Sequence, residues 1–555
     1  VRGGDLLETR VLVDDAWLPA PYRADNPTGT AGASVDPFLL DRVTFAAGGF
    51  GARQGNALSG LVSLELQGRP DRASGSLGLT ATGARAAGAL PLGRRVGVRA
   101  AAGTFALGPL VRTFGEAQPF RPAPRGGDGS ASVEWGYRDG GRVRAFVLDQ
   151  RTEFGVGAPG ALAAPDYTAD TRTALALVSW RDSAGPLRPA VTLARSRYVR
   201  HEAAGSFALR SDYDTRQLVA RLGWQATSTL RLTVGAEHED LDAAFDGRSG
   251  ATTGTPADTI VARVPGRRTG TFGEVAWHAP GSLSLVAGVR SDAATLTGER
   301  TVDPRLSLGW TRGPWALTAA AGVYHQLPDP ALVRGSAVEP MRARQLLAGV
   351  QRDGDALALR LEGYVKRYDG LVLVTRARDI VAGGTGDVVG ADALVRWRIG
   401  ERASGRLAWS VLHARRTDPD TRRRARAPTD VTHSLTLVTE RRIGPIVLGS
   451  SLRWATGRPF TDVVGTRADT LAGTIAPVWG TPFDARLPAQ LRSDLSADWY
   501  RPLGGRRAVV VFASLSNVFD RENVVDVGWS ADWSRRIPRR APFNRALFAG
   551  ATLLF

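Results

Sequence analysis

The lengths of the connections constrain this chain most. From about residue 74 onward it divides into 22 short segments of alternating polarity, from "SGSLGLTAT" to "LFAGATLLF". After even-numbered segments the chain turns tightly, as in "PLGRR" (91–95), "RDGGR" (138–142), "RDGD" (352–355) and "RPLGG" (501–505). After odd-numbered segments, from the third onward, the connections are mostly long and irregular, as at 240–267, 415–430, 457–490 and 517–543. Such alternation places the long loops at one end of a strand array and the short turns at the other. Outer-membrane barrels are built this way, with short periplasmic turns and long outer loops, whereas a propeller or sandwich has no reason to be. Each segment is close to the ~9–11 residues a tilted strand needs to cross a bilayer. The expected fold is all-β, a 22-stranded antiparallel transmembrane β-barrel over residues 71–555.

Composition permits this reading. Apolar residues make up 43% of the chain and mean hydropathy is −0.13. No run of 18 apolar residues occurs, which excludes transmembrane helices but not barrel strands. Parity then assigns the faces. In "LALRLEGYVK", Leu357, Leu359, Leu361, Gly363 and Val365 share one side, and Arg360, Glu362, Tyr364 and Lys366 the other. An Arg or Lys at the bilayer midplane costs about 2–4 kcal/mol, so the polar side is expected to face the lumen. A half-buried sheet in a soluble protein shows the same period of two.

Tryptophan position separates these possibilities. Trp135, Trp180, Trp224, Trp277, Trp310, Trp397 and Trp499 all lie near the ends of even-numbered segments, beside short turns. Indole favours a membrane interface, being apolar in body with one N–H to satisfy. These seven of the 14 Trp are therefore expected to form a periplasmic aromatic girdle, incomplete at segments 14 and 18. The closing segment "RALFAGATLLF" fits as strand 22, pairing with strand 1 so that no edge is left open. In it, Leu547, Ala549, Ala551, Leu553 and Phe555 would face lipid.

Net charge is +17, and Lys366 is the sole lysine, so the basic side is almost all arginine. The arginines are spread along the chain without a basic motif, which argues against nucleic acid and suits a polyanionic membrane surface or an anionic ligand. Cysteine is absent, which removes disulfides, thiol catalysis and cysteine-ligated metal. The six histidines, His201, His238, His278, His325, His413 and His433, lie on different segments without ligand spacing. No catalytic constellation, metal site or cofactor is expected, and the chain reads as a non-enzyme. Residue 1 is Val and no leader follows, so a signal peptide and further upstream residues are expected to precede it.

A 22-stranded barrel leaks unless its lumen is filled, and residues 1–70 are the candidate filling. "VRGG" (1–4), "RVLVDDAWLPAPY" (10–22), "LLDRVTF" (39–45) and "GGFGARQGNALSGLVSLELQGR" (48–69) resemble the second half of the plug domain of TonB-dependent outer-membrane receptors. "GVYHQLPDP" (322–330), "TGRPFTDVVG" (456–465), "LPAQLRSDLSADW" (487–499) and "FASLSNVFDRENV" (512–524) resemble barrel segments of the same family. Asp15 departs from the family's usual Gly, Thr44 from its frequent Glu and Gln54 from its common Tyr. The first half of the plug and the TonB box, which lie upstream in that family, are not in this sequence.

The resemblance implies a monomeric receptor in the cell outer membrane. It would take up a scarce small-molecule substrate, powered by a TonB-type coupling protein acting through an upstream segment. Phe555 resembles the terminal residue such barrels present to their assembly machinery. Plug arginines Arg2 and Arg42 match family positions that meet barrel glutamates, and by parity Glu237, Glu274 and Glu362 point into the lumen. The plug apex would include Tyr22, Arg23, Arg53 and Gln54. The loop "ARRTDPDTRRRARAP" (414–428) carries Arg415, Arg416, Arg422, Arg423 and Arg424. These suggest an anionic substrate such as a ferric siderophore, or contacts to lipopolysaccharide phosphates. A passive porin-like or adhesin-like barrel uncoupled from TonB is the alternative.

Overall fold

In this computed structural model, residues 1–26, 29–115, 120–157, 166–249, 258–333, 338–469, 474–541 and 543–555 are described. Twenty-two antiparallel strands close into one barrel. Closure is made by Ala546–Leu554, which pairs with Ser74–Thr80 from Gly550↔Thr80 to Leu554↔Ser76. Phe555 and Gly75 exchange backbone hydrogen bonds of 3.0 and 2.7 Å at the end of this seam. Of the closing residues, Leu547, Ala549, Ala551 and Phe555 are exposed on the outer wall.

Faces follow parity. On Leu357–Val374, the residues Leu357, Leu359, Leu361, Gly363 and Val365 are exposed, and Glu362, Tyr364 and Lys366 are buried. The expectation of a polar lumen face fails on two neighbouring strands, Gly141–Val156 and Tyr167–Arg181. Their inward residues include Phe146, Leu148, Leu175 and Leu177, all at most 3% exposed. The lumen wall is apolar there because the N-terminal segment packs on it and buries it. Val13, Ala16, Leu18, Leu39 and Leu66 join these four in one buried cluster.

Strand length also differs from the expectation. Thr259–Ala279 has 21 residues and Ile380–Ile399 has 20. At about 3.3 Å per residue, the first reaches roughly 70 Å, far beyond a hydrocarbon core of about 30 Å. The surplus stands at the loop end, where neighbouring strands are tied by arginine–aspartate pairs. Arg195 reaches Asp214 at 3.0 Å, Arg197 reaches Asp212 at 2.7 Å, and Arg263 reaches Asp242 at 2.8 Å. On these ends the outward face carries charge, as at Asp242 and Asp246, while inward residues such as Ala243 and Phe245 are buried, so the apolar-outward alternation stops short of the true strand end.

The N-terminal segment sits inside the barrel. Its four-stranded sheet runs in the order Ala16–Trp17, Thr9–Val13, Gly60–Leu66, Leu40–Ala46, and the central pair is parallel. A second buried cluster joins Phe50, Leu58 and Leu61 of this segment to Tyr324, Leu347, Tyr364, Tyr368 and Val388 of the wall. Hydrophobic contact therefore fixes it on two sides of the lumen.

Candidate functional site

Between the two apolar contacts the plug seat is ionic. Arg10 follows the turn at Leu6–Glu8 and points outward from the plug sheet. Its Nη2 lies 2.6 Å from Glu239 and 3.6 Å from Glu237, and its Nη1 donates to Gly55 O at 3.3 Å. Both glutamates stand on Leu230–Arg248, two residues apart and so on one face. Arg268 reaches Glu237 at 2.5 Å and Asp292 at 2.7 Å, and Arg290 reaches the same two at 2.7 and 2.6 Å. Three arginines thus face three carboxylates. Arg10, Arg268, Arg290, Glu237 and Glu239 are all under 9% exposed. A charge so desolvated is tolerated only when paired, and loss of one partner strands the other.

Further contacts surround this cluster. Arg2 pairs with Glu362, donates from Nε to Asp392 at 2.8 Å, and lies 4.5 Å from the Tyr364 ring centre. Glu8 pairs with Arg416 at 2.7 Å and accepts from Ser59 Oγ at 2.6 Å. Asp14 pairs with Arg144 at 2.6 Å. The buried ammonium of Lys366 donates to Ser59 O at 3.1 Å. The turn "GFGARQGN" (49–56) is gripped through its carbonyls. Arg305 donates to Gly51 O at 2.5 Å and to Gln54 O at 2.6 Å, and Arg290 donates to Arg53 O at 3.3 Å. Glycine is required here, since a Cβ on Gly55 would sit 2.3 Å from the Arg290 guanidinium.

Asp15, the departure from glycine, has φ +77°, in the left-handed region where aspartate is among the few side chains tolerated. Arg53 at 2.5 Å and Arg181 at 3.7 Å hold its carboxylate, together with Arg221. Burial acts to raise this carboxyl, yet Arg53, Arg221 and Arg181 outweigh it and hold it well below the usual carboxylate range.

The expected site residues distribute as follows. Arg2 contacts Glu362, and Glu237 belongs to the ionic cluster. Arg42 is exposed on Leu40–Ala46 and makes no ion pair among the described residues; of the three lumen glutamates expected to meet Arg2 or Arg42, Glu362 meets Arg2 and Glu237 meets Arg10. Glu274 accepts a backbone bond from Ala52 N at 3.1 Å in place of an arginine. Arg53 is engaged by Asp15, and Gln54 offers its carbonyl to Arg305. Tyr22 and Arg23 lie on Tyr22–Asn26, whose side chains fall outside the described residues.

In the 414–428 loop the arginines divide. Arg416 points inward to Glu8, so it is a plug contact where a ligand contact was expected, while Arg415 takes the opposite parity and is exposed. Arg424 pairs with Asp387, Arg422 donates to Ala382 O at 3.3 Å, and Arg423 is exposed. All seven tryptophans of the expected girdle take the outward parity; Trp135, Trp224 and Trp277 are exposed and Trp180, Trp310, Trp397 and Trp499 half-buried. The gap at segment 14 is covered by the exposed Trp315, which stands opposite Arg352. Exposed Ile443 and Ile446 cover that at segment 18.

A second feature lies among the outer loops. The hairpin Val463–Asp469 with Thr474–Trp479 and the hairpin Val524–Trp529 with Arg536–Arg540 enclose a cleft of about 620 Å³. Trp479 and Trp533 meet edge to face at 5.7 Å, and Arg376 lies 4.3 Å from the Trp479 ring centre. Arg536 lies 5.7 Å from the Phe460 ring and 5.8 Å from the Trp529 ring. Arg458 and Arg539 complete a basic rim against one acid, Asp526. The loop around Asp418 adjoins the cleft, since Asp420 pairs with Arg376 at 2.8 Å. Sequence reasoning missed Arg376, Trp479, Trp529 and Trp533. Their signal was tryptophan within long loops, away from any strand end.

A closed 22-stranded barrel filled by an N-terminal sheet defines a plugged outer-membrane barrel. The family model "TonB dependent receptor-like, beta-barrel" matches residues 83–518, and the chain belongs to that family of outer-membrane transporters, which are not enzymes. Its members work with TonB and small-molecule substrates. No curated protein matches the sequence. Among solved structures, the outer membrane transporter YddB from Escherichia coli is similar at 12% identity with TM-score 0.74, covering 100% of this chain and 91% of that one. The FrpB iron transporter from Neisseria meningitidis aligns at 14% identity and TM-score 0.73, covering 100% and 93%. The siderophore receptor PiuA from Acinetobacter baumannii aligns at 11% and 0.74, covering 100% and 90%. These likenesses show the fold.

Proposed function

We propose that this transporter takes up a scarce anionic ligand with planar, π-rich groups, of which a ferric siderophore is the model class. The observation that carries the reading is the outer-loop cleft. Tryptophan faces supply stacking area, and Arg376, Arg458 and Arg539 supply fixed positive charge that presents forked donors to oxyanions. Similar folds described as an iron transporter and a siderophore receptor support the same class. Capture at the cleft would precede descent to the plug, and the ionic seat would hold the plug until it is pulled from the periplasm.

Calorimetric titration tests this. A ferric catecholate or other anionic aryl complex should bind the purified protein, and W479A or R376Q should weaken it roughly tenfold, a loss of about 1.4 kcal/mol. Preference for a neutral sugar or peptide, or undiminished binding in both variants, defeats the reading.

A further inference from the structure

A further hollow lies away from both features above, on the outer wall at the closing seam. It measures about 1020 Å³, at the upper end of the roughly 300–1,000 Å³ typical of ligand sites. Small residues on the first strands, Ser74, Gly88 and Ala100, form its floor. Leu90, Leu503 and Phe555 form its sides. Gly88, Leu90, Val98 and Ala100 take the parity opposite to the buried Ala87, Ala89 and Ala101, so the floor faces the bilayer and not the lumen. In a bilayer such a hollow is filled by hydrocarbon.

Its mouth is basic. Arg506, in the turn between Gln490–Gly504 and Arg507–Ser516, and Arg507, which opens the second of these strands, line it, and no acidic side chain does. Arg94 and Arg95 occupy the turn between the two strands that carry Gly88, Leu90, Val98 and Ala100. All four arginines are exposed and make no ion pair among the described residues. Elsewhere the barrel's exposed arginines commonly meet aspartates, as Arg195, Arg197 and Arg263 do. These turns are on the short-connection side, which faces the inner, glycerophospholipid leaflet.

We propose that the seam hollow is a binding site for an anionic glycerophospholipid, with an acyl chain over Gly88 and Ala100 and the phosphodiester at Arg506 and Arg507. Charge complementarity commits the site to a lipid phosphate: unpaired guanidinium forks beside an apolar trough match a head group joined to a chain. The bound lipid would brace the seam where Ser74–Thr80, a strand of only 7 residues, meets the last strand.

Native mass spectrometry of the detergent-purified protein tests the site. Phosphatidylglycerol should be retained in preference to phosphatidylethanolamine, and R506Q/R507Q should lower its retention about tenfold. The equivalent change beside a different short turn, R441Q/R442Q at the end of His433–Ile443, should leave retention at the parent level. G88L, whose Cβ would meet nothing nearer than Ser74 O at 3.9 Å, should fill the trough and lower retention of both lipids. Inorganic phosphate in excess should displace neither. Equal retention of the two lipids by the parent, equal loss in both arginine pairs, or displacement by phosphate alone would overturn the proposal.

Discussion

Arginine meets carboxylate in two settings in this molecule, and the contrast shows what each is for. In the lumen, Arg10, Arg268 and Arg290 face Glu237, Glu239 and Asp292, and the three arginines are at most 4% exposed. On the extended strand ends, Arg195 and Arg197 face Asp214 and Asp212 with about half of each arginine exposed. The residue types and distances are alike, but the solvent differs. Exposed pairs contribute up to about 1 kcal/mol, whereas removal of one partner of a buried pair costs about 3–5 kcal/mol. The outer pairs keep long hairpins in register. The inner pairs fix the N-terminal segment to the barrel wall, and loss of one member strands the other.

Removing the plug's own contribution should have the largest effect. R10M leaves Glu237 and Glu239 buried with one fewer cation and should weaken plug seating by about 3–5 kcal/mol. Limited proteolysis of the plug and sensitivity of cells to large antibiotics would both rise. Should R10M behave like an outer-surface variant, the contrast between the two settings fails. E362Q should have a smaller effect in the same assays, because Arg2 keeps Asp392 at 2.8 Å.

D15G should relieve the positive φ yet leave Arg53, Arg221 and Arg181 without their shared carboxylate. The Asp15 carboxyl is held below its unfolded value, so its contribution is fully present above the unfolded pKa of about 3.9 and is lost as pH falls through the folded one. Plug seating in the parent should therefore be level from pH 7 to pH 5, measured by the same proteolysis, and any loosening in that window would remove Asp15 from the account. Smallest of all, R197Q should change thermal stability by less than about 1 kcal/mol.

The barrel was legible because its pattern is enforced at every strand. Lipid demands an apolar residue at alternate positions, and the membrane boundary demands short turns on one side. Phe146 and Leu175 were not legible as lumen residues, because their apolar character answers to the plug, a partner distant in sequence. The ionic seat was half legible. Glu237 and Glu362 followed from parity, but Arg10 sits in a strand whose facing depends on how the plug docks. Arg42 resembled the family position better, and it ends on an exposed strand. Asp15 stood out against the family pattern, and its three arginines come from Ala52's neighbour and two separate barrel strands. The loop cleft was invisible to periodicity, since Arg376, Trp479 and Trp533 converge from three loops with no shared repeat.

The most direct test of the account is energised uptake. Cells producing the complete gene product should accumulate a radiolabelled ferric aryl siderophore, and collapse of the proton gradient by an uncoupler should abolish accumulation while surface binding persists. Accumulation that continues in uncoupled cells would contradict the account and mark the molecule as a passive pore.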